Sequence, residues 1–302
     1  MKNALQYYYH LSTDNIHQMD GVYKFTIQDQ YYAFYPYDGD LNQVDTIYHL
    51  SINLWKYGIY CHQIVLNSEQ KIVTIVSDTP YILIKSNYAF EEKITMEHLI
   101  SFSNMASNIP YQNTMRHDNW EKLWSEKIDY FEYQVNQFGK SHPIIRDSFS
   151  YFVGIAETGI SLLNQTKIDY KNLVVSHKRI KRNQTVFDLY NPLSFIVDLK
   201  IRDACEYFKE SFMTNENICD DIEYYLTHNT LTSYECLMFF IRMLYPSFYF
   251  DLYEDIMHYN KDEKLLIPVI EHVGQYEQLL KKIYIYIGNM IALPEIEWLK
   301  KI

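Results

Sequence analysis

The sequence predicts an α+β fold in two lobes: a small antiparallel β-sheet lobe with one helix over residues 1–85, and a larger helical lobe over residues 86–302. Three observations predict it. Short alternating runs fill the chain from Gly21 to about Lys85, and amphipathic helical periodicity dominates from Glu91 onward. An apolar run at Leu173, Val174 and Val175 interrupts the helices and opens a segment, 173–208, that carries a histidine and several acids and bases.

In order, GVYKFTIQDQYYAFYP (21–36) alternates about a Gln-Asp-Gln turn, as a β-hairpin requires. Residues 41–57 place Leu41, Val44, Ile47, Tyr48, Leu50, Ile52, Leu54 and Trp55 roughly on one face of a helix that Gly58 ends. Residues 64–66 and 71–77 read as a second hairpin, and YILIK (81–85) as a short edge strand. Helices are expected over 91–107, 119–137 and 143–163, and again over 233–244, 248–258 and 275–291. Trp120, Leu123, Trp124, Ile128 and Phe131 form a core stripe, while Gly154 and Gly159 suggest close helix packing. Asp203 stands where it can cap a helix running through ACEYFKESFM.

Composition narrows the function classes. A net charge of −11 argues against nucleic acid and anionic membranes as partners. No run approaches the roughly 20 apolar residues of a spanning helix, and MKNALQYYYHLSTDN lacks a signal core, so a cytoplasmic location is expected. Cys61, Cys205, Cys219 and Cys236 are widely spaced, outside any zinc pattern, and are expected to be reduced, buried thiols. The 30 tyrosines are unusual and point to wet, semi-polar packing or an AT-rich genome.

The chemistry-bearing stretch is LVVSHKRIKRNQTVFDLYNPLSFIVDLKIRDACEYF (173–208). A strand delivers a histidine, a basic turn follows, and one aspartate precedes another at a helix start. That order resembles the catalytic segment of the aminoglycoside-phosphotransferase-like kinases, HxDxxxxN followed by a metal-binding Asp. The resemblance implies a protein-kinase-like fold, and His177 takes the motif histidine. Arg179 stands at the position of the catalytic Asp and Gln184 at that of the metal-binding Asn. Asp198, a hairpin's length beyond His177, is the candidate metal-binding Asp, with Asp188 as runner-up; a turn cap is the other reading of Asp198. Asp203 matches the residue that braces the catalytic loop. The nucleotide-gripping strand Lys falls at about Tyr35, its partner Glu is missing from the 41–57 helix, and Gly21 stands alone where a Gly-rich loop would be.

Phosphoryl transfer needs an Asp that accepts the hydroxyl proton, and an Asn and an Asp that hold metal beside the phosphates. A guanidinium stays protonated, so Arg179 cannot be a general base. With Lys171, Lys178, Lys181 and Arg182 it makes a basic loop that repels divalent metal. Lys178, Arg179 and Lys181 are therefore candidate anion ligands, with a solvated charged face as the plain alternative.

Further phrases narrow the resemblance: WEKLWSEKIDYFE (120–132), SYFVGIAETGISLL (150–163), NPLSFIVDLKIRDACEYFK (191–209), RMLYPSFYFDLYED (242–255) and the ending LPEIEWLKKI. Together they are similar to the bacillus-type spore coat kinase-like proteins, the CotS/YutH group, and most to its YutH-like members. The resemblance implies a kinase-like fold and a place in the spore coat if the source sporulates. The joint absence of the nucleotide Lys, its partner Glu, the catalytic Asp and the metal-binding Asn points to a pseudokinase, a scaffold or interaction protein with protein partners and no expected cofactor. Two alternatives stand beside it. One is an unconventional small-molecule phosphotransferase using ATP and Mg through Asp188 or Asp198. The other is an anion- or metabolite-binding protein whose inter-lobe cleft takes a small-molecule ligand.

Overall fold

The computed structural model describes residues 1–19, 21–166, 173–180, 183–214 and 217–301. Its elements are helices and strands in the order α1 (Lys2–Tyr9), β1 (Ile16–Met19), β2 (Val22–Ile27), β3 (Gln30–Pro36), α2 (Val44–Lys56), β4 (Gln63–Val65), β5 (Val73–Val76) and β6 (Thr79–Ser86). There follow α3 (Met96–Met105), α4 (Trp120–Phe138), α5 (Pro143–Gln165), β7 (Leu173–His177), the single turn α6 (Val186–Leu189), β8 (Phe195–Leu199) and α7 (Arg202–Ser211). The chain closes with α8 (Ile218–His228), α9 (Ser233–Leu244), α10 (Ser247–Tyr259), α11 (Ile267–Glu271), α12 (Val273–Gly288) and α13 (Glu297–Lys301). This is an α+β protein, and none of the described helices is long and apolar enough to cross a membrane. It falls into two compact units: residues 1–116, 174–178 and 183–197, and residues 117–173, 179–182 and 198–302.

The first unit is built on a six-stranded antiparallel sheet in the order β1-β2-β3-β6-β4, with β5 also on β6, and it includes most of the two-stranded β7-β8 sheet. Two tight turns set its registers. Gln28 and Asp29 join β2 to β3, and Ser77 and Asp78 join β5 to β6, all four with positive φ, the backbone of a two-residue hairpin turn. The second turn corrects two expectations. β5 takes its partner from the following strand, so β4 and β5 do not form a hairpin with each other. β6, expected at an edge, is central, pairing with β3 along one side and with β5 and β4 along the other.

Side chains alternate across the sheet. Phe25, Tyr32, Phe34, Tyr81 and Leu83 turn to the face covered by α1, whose Leu5 is fully buried among them. His17, Lys24 and Ala33, direct neighbours across β1, β2 and β3, turn to the opposite face.

The second unit is helical. α5 runs from Pro143 at its first position through Gln165 and packs on α9, where a Cβ on Gly159 would stand 3.2 Å from both the Ile241 carbonyl oxygen and Leu244 Cβ. Gly154 meets nothing within 4 Å, so the expected close packing holds for Gly159 alone. Trp120, Trp124, Phe131 and Ile128 are buried as the stripe requires, but Leu123 is exposed. Tyr249, Tyr253 and Tyr276 build part of this core with their hydroxyls satisfied. Tyr249 lies 2.9 Å from the Ser148 hydroxyl, Tyr253 donates to Gln134 at 3.2 Å, and Tyr276 donates to the Met243 carbonyl.

Three further expectations change. The helix expected over 91–107 begins at Met96, because Thr95 caps it and residues 92–94 pair elsewhere. α8 was not foreseen, although Ile218, Ile222, Tyr225 and Leu226 have helical spacing. The four cysteines are free, but Cys219 is half-exposed, not buried.

Candidate functional site

Two groups of side chains, one in each unit, hold the residues that the sequence singles out. In the first unit, β7 ends on His177, which is fully buried and packs against Phe102 and Phe195 at 4.9 and 5.2 Å. Its Nε2–H donates to the Leu189 carbonyl at 2.7 Å, so the histidine braces the segment that follows instead of facing a ligand. Lys178 is exposed, and its backbone N–H donates to Ser194 at 2.8 Å. Lys171, Lys181 and Arg182 lie outside the described residues.

Beyond the basic turn the chain pairs with residues 92–94. The Ile94 N–H donates to the Gln184 carbonyl at 3.1 Å and the Val186 N–H to the Glu92 carbonyl at 2.7 Å. Asp188, expected on a strand, lies in α6. Its Oδ2 accepts from the Thr185 N–H at 2.9 Å and the Thr185 hydroxyl at 3.0 Å, so a Thr-x-x-Asp cap overrides the β-like VFD pattern. Tyr35, at the lysine position of β3, is half-buried, hydrogen-bonds with the Asn191 side chain, and is pushed up by burial and by the Asp188 charge.

The same pairing brings Phe90 and Phe187 to 4.7 Å of each other beneath the sheet. Lys24 reaches down from β2, and its Nζ lies 5.2 Å from the Phe90 ring centre and 5.5 Å from that of Phe187. Around these groups opens a cleft of about 830 Å³, lined also by His17, Thr26, Gln184 and Asp188. Sequence reasoning missed Lys24. The signal was its place in the β2 alternation, on the face opposite Phe25.

In the second unit, Asp198, the last residue but one of β8, has no exposed surface. Its Oδ1 accepts from the Leu199 N–H at 2.7 Å; its Oδ2 accepts from Trp120 Nε1 at 3.1 Å and from Arg202 Nη1 at 2.5 Å. Arg202 is itself buried as the first residue of α7. Asp203 is buried in the first turn of α7, one residue inside it, so it does not cap the helix from outside.

Arg179 is the other surprise. Its Nε and Nη2 donate to the two carboxylate oxygens of Asp251 at 2.8 and 2.7 Å, and its Nη1 stands 3.7 Å from Glu206. Burial disfavours the charged guanidinium, but Glu206 and Asp251 outweigh it and push Arg179 up. Glu206 is buried and accepts from Lys209 at 2.8 Å, Arg242 at 3.0 Å and Ser247 at 3.0 Å. Burial raises its carboxyl, yet the surrounding cations win and hold it well below the usual carboxylate range. Arg179 is therefore held by Asp251 and stands beside Glu206, in a network shared with Lys209 and Arg242. Neither Asp251 nor Glu206 stood out in the sequence, because Arg179 lies 72 residues from Asp251 and Arg242 lies 36 residues from Glu206.

A kinase-like fold implies magnesium and a nucleotide, and the donors do not fit the metal. Magnesium wants several oxygens in octahedral array. Asp198 offers one carboxylate, already neutralised by Arg202 and saturated by N–H donors. Among the described residues no group of three or more His, Cys, Asp or Glu is placed to hold a metal ion.

Comparison with known proteins agrees with this fold. An aminoglycoside phosphotransferase from Alicyclobacillus acidocaldarius superposes with a TM-score of 0.69 at 9% identity, covering 96% of each chain. Spectinomycin phosphotransferase, solved with ADP and spectinomycin, gives 0.59 at 11% identity, over 94% of this chain and 96% of that one. The kinase-like fold is thereby shown. In sequence, the chain is 23% identical over 231 residues to the endospore coat-associated protein YutH of Bacillus subtilis (strain 168), covering 67% of this chain and 68% of that protein. The family described as "Spore coat putative kinase YutH" matches residues 2–283, and the chain belongs to that family.

Proposed function

We propose that this chain is a catalytically silent kinase-fold protein that acts by binding, as a scaffold or interaction protein, and that it associates with the spore coat where its source sporulates. The observation that carries the reading is the Arg179–Asp251 pair. A cation clamped by two carboxylate oxygens occupies the position at which the family resemblance expects the proton-accepting Asp, and it has neither the charge state nor the freedom to accept a proton. Asp198, spent on Arg202 and Trp120, supports the same reading from the metal side. The name of the Bacillus relative supports the coat association.

Calorimetry with ATP, with and without magnesium, tests the proposal. No magnesium-dependent heat and no phosphoryl transfer to added amines or hydroxyl compounds are expected. Turnover that disappears in Asp198→Asn would sink it.

A further inference from the structure

We infer that Lys24 anchors an oxyanion carried on an apolar body, held in the first-unit cleft without a divalent metal. The inference rests on the reading that this chain binds and does not transfer, and it names the ligand chemistry.

The argument starts from charge. Lys24 is half-buried, and among the described residues its ammonium meets two aromatic faces but no carboxylate within ion-pair distance. Ring faces attract a cation and lower the cost of removing it from water, but they leave its charge uncompensated. Arg179, by contrast, is matched by Asp251 and Glu206. An anion entering the cleft therefore gains most at Lys24.

Placement agrees. Lys24 and Tyr35 stand on the same sheet face of neighbouring strands, so the cation missing from β3 is supplied from β2. His17, the cross-strand neighbour on the other side, and Thr26 and Gln184 add polar atoms to the wall. Phe90 supplies an apolar surface for the body of the ligand, while Glu91 is exposed at the margin and Asp188 turns its Oδ2 to Thr185.

Phenyl phosphate and benzoate, titrated into the full chain in EDTA, test this and separate a phosphate from a carboxylate source. Saturable binding of one or both is expected, the tighter of the two naming the oxyanion. Lys24→Gln should weaken that binding by about tenfold or more, whereas Lys24→Arg, which keeps the charge, should retain it. On the unaltered chain, the bound compound should slow acetylation of Lys24 by acetic anhydride, followed by peptide mass spectrometry. The inference is overturned by absent binding, by affinity unchanged in Lys24→Gln, by a requirement for magnesium, or by undiminished acetylation. Magnesium-dependent turnover of ATP would overturn the proposed function separately.

Discussion

Arg179 and Asp251 meet fork to fork, with Nε···Oδ2 at 2.8 Å and Nη2···Oδ1 at 2.7 Å. That geometry is available to a guanidinium and not to a lysine ammonium, and it fixes the side chain as well as its charge. The position that the family resemblance matches to a proton acceptor is half of a structural ion pair.

Restoring the acid should therefore not restore a kinase. Arg179→Asp places a carboxylate beside Asp251 and Glu206 and removes one of the cations that balance them. Because Arg179 and Asp251 are partly solvated, a loss of about 1–2 kcal/mol is expected, between an exposed and a fully buried pair. Urea denaturation measures the loss. The same preparation should show no magnesium-dependent ATP binding.

At Asp198 the cost should be larger. Asp198→Asn takes from the buried guanidinium of Arg202 the carboxylate that accepts from its Nη1, for which about 3–5 kcal/mol is expected. A residue kept for magnesium would behave otherwise, its loss sparing stability and abolishing a metal-induced rise in Tm. Thermal melts of both proteins with and without magnesium distinguish the two outcomes.

Acid should loosen the first unit through His62. Burial pushes its imidazole down to about 3, partly offset by the hydrogen bond from Nε2–H to the Phe187 carbonyl. The unfolded chain takes up that proton near pH 6.5, so the stability contributed by neutral His62 is complete above that pH and is lost as pH falls toward 3. From this group a loss of about 2 kcal/mol is expected at pH 5. In His62→Gln the difference between denaturation at pH 7 and pH 5 should shrink by a similar amount.

Two glycines of α5 should respond with opposite signs. Gly154→Ala adds a methyl in open space on a helix and should stabilise by about 0.5–1 kcal/mol. Gly159→Ala drives a Cβ against the Ile241 carbonyl and Leu244 Cβ, atoms close to the α9 backbone that cannot swing aside, and should destabilise by about 1–2 kcal/mol. Paired melting curves read both.

Much of the fold was legible because local periodicity reports burial. The stripe through Trp120, Trp124, Ile128 and Phe131 defines α4, and the alternation on either side of Gln28 and Asp29 defines the β2–β3 hairpin. Where two local signals competed, the reading failed. Thr185 and Asp188 close a cap within a β-like run, and the Ser77-Asp78 turn takes β5 away from β4.

By itself the sequence determined the kinase-like order of elements, the family, and the absence of a proton acceptor at residue 179, because these are matters of residue type and spacing along one chain. Only the tertiary structure decided that Arg179 is neutralised by Asp251 and Glu206, that Asp198 is held by Arg202 and Trp120, and that Lys24 meets aromatic rings and no acid. The reason is physical: the energy of a charge depends on which groups surround it and on how much water remains. Those surroundings come from distant segments, as Trp120 with Asp198, 78 residues apart, and Lys24 with Phe187 show.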